Sequence, residues 1–140
     1  MSAAREAFKK KILEEMTVDY SNTLEKNFDL AKQFVRVTKD GHVDVLIREK
    51  IGGRDQILLY LIGKMYAKEA GLAPSDEVGN EELERELRIK TGSLLPWLKE
   101  LRDANKVKQI RRERNVYHSL PANQIESTLR VLESKVKKGS

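Results

Sequence analysis

The stretch Asn80–Ser119 reads NEELERELRI-KTG-SLLPWLKELRDAN-K-VKQIR-RER-NVYHS, and it is the most informative part of the chain. Two leucines four residues apart give residues 80–89 one apolar helical face. Leucines spaced by four and three residues do the same for residues 93–105. The joint Lys90–Gly92 contains a glycine, as short turns between helices often do. The stretch therefore begins with two helices joined by a tight turn.

Two short strand-like runs follow the helix pair. They are Val107–Arg111 and Asn115–Ser119, separated by the charged turn Arg112–Arg114. A tightly joined helix pair followed by such a hairpin resembles the winged helix-turn-helix domains of transcription regulators. With the preceding helix, the resemblance covers Arg54–Ser119. It implies double-stranded DNA as the partner, contacted by the second helix and the wing, although the same fold also serves in protein contacts.

Composition narrows the classes of protein to consider. The 140 residues are 39% apolar and 35% charged, which suits one domain with an appendage. The sequence has no cysteine, which excludes disulfides, thiolate metal sites and a cysteine nucleophile. We find no phosphate loop, metal-ligand cluster or nucleophile–base pair, so we expect no enzyme, metal or cofactor. No apolar run approaches the ~20 residues of a membrane span, and we expect a cytoplasmic protein.

The positive charge is unevenly distributed along the chain. The net charge is +5, and residues 106–140 hold 9 basic and 3 acidic side chains. Residues 51–105, by contrast, hold 8 basic and 10 acidic ones. An excess on the wing and the last helix favours contact with phosphates. A solvated basic tail is the alternative explanation.

The N-terminal third predicts helices followed by a hairpin. Apolar residues at every fourth position indicate a helix over Ala3–Met16. Ser21–Asn22 is expected to cap a second helix that reaches about Val35. The runs Val35–Thr38 and Val43–Ile47 flank an Asp-Gly turn, which is a strong signal for a β-hairpin.

The most apolar segment is Gln56–Ala67, which predicts a helix buried on several sides. Gly71 is expected to end this helix, and Gly63 could allow another helix to pack closely. Gly52–Gly53 is the best candidate for a domain boundary. The predicted units are an appendage of helices and a hairpin at 1–51, a winged domain at 52–120 and a C-terminal amphipathic helix at 121–140.

The first helix of the central pair carries an acidic surface. Asn80 is expected to cap it, following the polar loop Ala73–Gly79. Its glutamates should face away from DNA, because phosphates would repel them.

The second helix and the wing supply the candidate DNA contacts. The candidates are basic or hydrogen-bonding residues: Lys90, Thr91, Ser93, Lys99, Lys106, Lys108, Arg111, Arg112 and Arg114.

Three apolar residues occupy the part of the second helix that would face the groove. Leu95, Pro96 and Trp97 differ from the Arg, Lys, Asn and Gln that read base edges. Pro96 is expected in the first helical turn, where a missing N–H is tolerated. We favour an inward Trp97 that packs against the N-terminal appendage. The alternative is an apolar patch of all three residues that binds a protein partner.

The last helix carries a narrow apolar stripe and is expected to start at Pro121. Ile125, Leu129, Leu132 and Val136 follow one another at spacings of four, three and four residues. Two explanations remain open. The stripe packs on its own domain, or it is the interface of a homodimer.

Overall fold

The computed structural model of the chain describes residues 2–17 and 22–138. It confirms the predicted α+β, mainly helical class. The helices are α1 (Ala3–Glu15), α2 (Thr23–Lys26), α3 (Phe28–Ala31), α4 (Gly53–Glu69), α5 (Asn80–Leu87), α6 (Thr91–Asp103) and α7 (Ile125–Lys138). The strands are β1 (Val35–Val37), β2 (Val43–Val45), β3 (Val78–Gly79), β4 (Lys108–Arg112) and β5 (Asn115–Ser119). Short 3-10 turns occupy Arg48–Lys50 and Ala122–Gln124.

Helix α4 is the centre of the core, as its composition predicts. The consecutive residues from Ile57 to Ile62 are all buried. The helix ends where predicted, because Gly71 adopts a left-handed φ of 76°. The amide of Leu72 then donates to the carbonyl oxygen of Ala67 at 2.8 Å. This bond satisfies one of the carbonyls that the end of the helix leaves open.

The predicted hairpin is confirmed as β1 and β2. Val35 pairs with Val45, and Val37 pairs with Val43. The hairpin packs directly on α4 at Gly63, where an added Cβ would overlap Cγ1 of Val43. The expectation that a helix approaches Gly63 is therefore wrong, since a strand does. One buried cluster joins side chains of this hairpin to those of α4 and α7.

The predicted second helix is interrupted. Two four-residue helices, α2 and α3, replace it, and Asn27 lies between them with φ −103° and ψ 12°. The Asn27 side chain is 5% exposed, and its Nδ2 donates to the carbonyl oxygen of Thr23 at 2.9 Å. Such a side-chain bond to the backbone competes with helix propagation. Asn22 makes no side-chain cap bond, and Ser21 lies outside the described residues.

The second sheet has the strand order β3–β5–β4, and both pairs are antiparallel. Its first strand lies at the end of the segment predicted as a polar loop. Val78 is fully buried and pairs with His118, while Gly79 pairs with Tyr117. The loop prediction is wrong at these two residues, because a partner strand from a distant part of the chain recruits them.

The turn between α5 and α6 comes slightly earlier than predicted. Helix α5 ends at Leu87, and Arg88 has a left-handed φ of 55°. Helix α6 then begins at Thr91, two residues before the predicted start. Pro96 is consequently its sixth residue and lies beyond the first turn. That expectation is wrong, and the carbonyl of Gly92 lacks the amide that residue 96 would otherwise offer.

Helix α7 covers its stripe within its own chain. Ile125 and Leu129 are fully buried, Leu132 is 1% exposed, and Val136 packs against the same cluster. Of the two explanations open from the sequence, packing on the same domain is the one observed. The helix starts at Ile125 after a 3-10 turn, and not at Pro121 as predicted.

Helix α1, unlike α7, is exposed along its whole length. The predicted helix is confirmed, with Ser2 Oγ accepting the Arg5 amide at 3.3 Å. Every one of its residues is nevertheless exposed, including Phe8 at 63% and Leu13 at 58%. Its apolar stripe is uncovered in the single chain.

Candidate nucleic-acid interface

A groove separates α6 from the β4–β5 hairpin. It is an open cavity of about 510 Å³. Its walls come from the start of α5, the outer face of α6 and one face of the sheet. The lining residues are Asn80, Leu95, Pro96, Leu98, Lys99, Arg102, Gln109, Val116 and His118.

The helix wall of the groove combines apolar and basic groups. Leu95, Lys99 and Arg102 lie four and three residues apart, so they share one face of α6. Leu95 is 48% exposed, and Lys99 Nζ lies 3.7 Å from the carboxylate of Asp103. The two cations lie one helical turn apart along the groove.

The sheet wall divides the predicted wing residues between two faces. Gln109 pairs with His118 and Arg111 pairs with Val116, and paired residues project from the same face of a sheet. Because Gln109 and His118 line the groove, Arg111 projects from the groove face as well. Lys108 and Arg112 alternate with these positions and project from the opposite face.

Arg112 is engaged in an ion pair on that opposite face. Its Nη2 and Nε donate to the two carboxylate oxygens of Glu77 at 2.7 and 2.9 Å. These bonds hold the pKa of Glu77 below its ordinary value and raise the pKa of Arg112. The pair links β4 to the segment before β3, and it compensates the charge of Arg112.

A buried histidine supports the floor of the groove. His118 is 1% exposed, and its Nε2 lies 2.6 Å from Asn80 Oδ1, to which it donates. Burial first, and then the nearby charge of Arg102, lowers the pKa of His118 to about 4. The ring is therefore neutral at pH 7. The prediction that Asn80 caps α5 is wrong, because Gly79 is at the cap position and the Asn80 side chain binds His118.

The start of α6 presents the remaining helix candidates. Lys90 is exposed at the cap position, Thr91 is exposed, and Ser93 is half-buried. Thr91 Oγ1 donates to Glu84 Oε1 at 2.5 Å. One glutamate of α5 thus adjoins a candidate contact, while Glu82 pairs with Lys64 on another side at 3.2 Å.

Trp97 lies outside the groove. It is half-buried over the first residue of α4, where a Cβ on Gly53 would overlap its ring. The Arg54 guanidinium lies 5.5 Å from the ring centroid and forms an ion pair with Glu100. The tryptophan does turn inward, but onto α4 and not onto the predicted appendage. The apolar face of Leu95, Pro96 and Trp97 is consequently divided.

Four polar residues that line the groove, Asn80, Arg102, Gln109 and His118, were not among the predicted DNA contacts. Arg102 could have been found, because it lies three residues after Lys99 on the same helical face. Gln109 could have been found by its spacing of two from Arg111 on one strand. Asn80 had no such signal, since only the pairing of β3 with β5 brings it to the groove.

Residues 2–17 and 22–138 contain neither a metal-binding cluster nor a membrane-spanning helix. In those ranges no three His, Asp or Glu side chains are arranged to hold a metal ion. Within the same ranges, none of the helices combines the length and the apolar character that crossing a membrane requires.

No protein-family model, curated protein or solved structure matches this chain.

Proposed function

We propose that residues 53–119 form a winged helix-turn-helix domain that binds duplex DNA, in the manner of a transcription regulator, through α6 and the β4–β5 hairpin. The order of elements supports this proposal. A core helix, α4, precedes the tightly joined pair α5 and α6, and an antiparallel hairpin follows them. This is the arrangement in which a second helix enters the major groove while a wing follows the backbone.

The observation that carries the proposal is a convergence of cations on the groove. Lys99 and Arg102 of α6 line the open cavity, and Arg111 of the wing projects from the same face of the sheet as the lining residue Val116, with which it pairs. Arg114 is exposed at the wing turn, whereas exposed Lys106, before β4, lines a separate cavity formed with α4 and α7. Phosphate contacts supply most of the affinity of such surfaces.

Several of these basic side chains are not neutralised by residues that the structure describes, which favours binding to an acidic partner molecule. Within the described part of the chain, Lys106, Arg111 and Arg114 join no ion pair. Arg112 differs, because Glu77 already compensates its charge. We therefore rank Arg112 and Lys108 below the groove residues as DNA contacts, although all of them belong to the basic wing.

Anisotropy of a labelled random-sequence duplex, titrated at two salt concentrations, tests this proposal. We expect micromolar or tighter binding at low salt that weakens steeply as salt rises. The combined variant Lys99→Ala/Arg102→Ala/Arg111→Ala should lose at least tenfold in affinity. Its log–log salt slope should fall by about 0.9 for each phosphate contact removed.

A matched control removes the same charge elsewhere. Lys26, Lys39 and Lys50 are exposed and lie outside the groove, so their triple alanine variant should keep the salt slope of the parent. Equal losses in the two variants would indicate a general charge effect. Absence of binding at low salt would refute the proposal.

A second candidate function is a winged-helix module that binds a protein. The exposure of Leu95 at 48%, beside Pro96 and Val116 in the groove, favours it. Such docking would be apolar, so Leu95→Asp should abolish the complex and salt should weaken it little. DNA binding shows the opposite salt dependence, and this separates the two functions.

A further inference from the structure

Helix α1 carries an apolar stripe that the single chain leaves uncovered. Phe8, Ile12 and Met16 follow one another at intervals of four residues, with exposures of 63%, 36% and 77%. An isolated helix of 13 residues is only marginally stable in water. The helix therefore gains most of its possible stabilisation only when another surface covers the stripe.

A second uncovered apolar surface lies on the N-terminal half of the fold. An open groove of about 570 Å³ runs between α3, β1 and the end of α4. Phe28 is 50% exposed at its edge, and its ring lies 6.1 Å from that of Tyr66. The Tyr66 hydroxyl donates to the carbonyl oxygen of Leu24 at 2.6 Å, which fixes one wall. The apolar lining consists of Phe28, Ala31, Val35, Val37, Tyr66 and Ala70.

We propose that α1 of a second copy of this chain occupies this groove, and that the exchange is reciprocal, so that the protein is a two-fold dimer. This inference is independent of DNA binding. It provides one occupant for both surfaces.

The charges at the edges of the two surfaces are complementary. Lys32 and Arg36 are exposed lining residues of the groove. Glu15 lies three residues after Ile12 and seven after Phe8, so it accompanies the stripe on the same face of α1. Docking brings this carboxylate to the basic edge of the groove.

At the opposite edge of the groove the charges are reversed, with an acidic groove residue and a basic residue on α1. Glu69 is the acidic lining residue of the groove. On α1, Lys9 lies between the angular positions of Met16 and Leu13, on the side of the helix away from Glu15. Docking therefore brings Lys9 towards Glu69 and Glu15 towards the basic edge.

The area removed from water favours a reciprocal exchange. Burying one large apolar side chain removes on the order of 100 Å² from water. Four large apolar residues of α1 therefore bury about 400 Å² per docked helix. The groove adds less, because Ala31 and Val35 in its lining are already buried. Two docked helices together bury roughly 1,000 Å², which is the lower limit for a specific interface, whereas one docked helix buries half of that area. Isologous exchange closes the assembly at two copies.

Cysteine cross-linking tests the inference cleanly, because the chain has no cysteine of its own. Ile12→Cys in one chain and Phe28→Cys in a second, mass-tagged chain are mixed and oxidised. We expect a disulfide-linked heterodimer on a non-reducing gel. Lys10→Cys mixed with Phe28→Cys is the matched control, since Lys10 lies on the opposite side of α1 and should not cross-link.

Sedimentation of the full chain supplies the second measurement. We expect a dimer whose Kd rises at least tenfold in Phe8→Glu and changes little in Lys10→Glu. A monomer at all concentrations would overturn the proposal. So would a dimer that Phe8→Glu leaves intact. A disulfide that forms only within the double variant Ile12→Cys/Phe28→Cys would also overturn it, because α1 would then cover its own groove.

Discussion

Helices α1 and α7 have similar lengths, but α7 separates its apolar and polar residues much more sharply than α1 does, and the fold covers only the apolar face of α7. The α7 stripe is buried, with Ile125 and Leu129 fully covered, whereas Phe8 and Met16 of α1 are 63% and 77% exposed. Hydrophobic spacing specifies which face of a helix is apolar. It does not specify what covers that face, because the covering surface comes from another part of the chain or from another molecule.

The connections of α7 explain the difference. The helix follows β5 after Pro121 and one 3-10 turn, which brings it back onto α4. Lys135 Nζ then lies 2.9 Å from the Asp55 carboxylate at the start of α4. A short connection to a fixed strand therefore gives α7 a partner within the domain.

The largest loss of stability is expected for a substitution in the buried face of α7. Leu129→Ala should lower the free energy of unfolding by about 2–5 kcal/mol, because it leaves a cavity in a fully packed site. Urea unfolding followed by Trp97 fluorescence measures the change. Val131→Ala on the same helix is the control, since Val131 is 50% exposed and should change stability by less than about 0.5 kcal/mol. Similar losses in both variants would contradict the observed packing of α7.

The contrast between covered and uncovered groups extends to a titratable side chain, His118. Buried His118 has a pKa of about 4, whereas the unfolded chain protonates it near 6.5. Between these values only the unfolded state takes up the proton, so stability falls as the pH is lowered through this window. We expect a loss of about 2–3 kcal/mol between pH 7 and pH 4 from this residue.

Urea unfolding at several pH values, compared with His118→Gln, isolates this contribution. The stability difference between parent and variant should change between pH 6.5 and 4 and stay constant above pH 7. A flat difference for His118 would show that the ring is not buried in its neutral form.

The adjacent glycines at the start of α4 offer a sharper comparison. Gly53→Ala should destabilise the protein by about 1–3 kcal/mol, because the new Cβ overlaps the Trp97 ring. Gly52→Ala should be nearly neutral, since an added Cβ there meets no atom within 4 Å. Thermal unfolding of the two variants measures the difference. Equal midpoints would show that Trp97 does not pack over α4.

The smallest effect is expected at α1. Phe8→Ala should change the stability of the monomer by less than about 0.5 kcal/mol, because the side chain is 63% exposed. The measurement uses fluorescence detection at a protein concentration below the Kd of the dimer, so that the monomer is observed. A loss comparable with that of Leu129→Ala would break the comparison between the two helices.

Much of the fold could be predicted because its signals are local. The hairpin depends on Gly41, which adopts a left-handed φ of 83° at the turn between β1 and β2. The burial of α4 follows from a composition that leaves few polar positions on Ile57–Ile62. The interruption at Asn27 was missed, since its side chain competes with the backbone only once it is buried.

The candidate site was predicted less completely than the fold, because its geometry depends on contacts between distant parts of the chain. The cations were visible in the sequence, but their faces were not. Pairing with β5 places Arg111 at the groove and Lys108 on the other side of the sheet. The contact of Arg112 with Glu77 crosses 35 positions of the chain, and no local rule indicates it.

The sequence by itself therefore determined most of the helices and both hairpins, because periodicity, glycines and turn residues act over a few neighbours, but strand β3 forms only through its pairing with distant β5. The tertiary structure alone decided that Asn80 binds His118, that Trp97 packs over Gly53 and that α7 is covered while α1 is not. Each of these outcomes depends on which distant surfaces the folded chain brings into contact, and burial and hydrogen bonding then select among them.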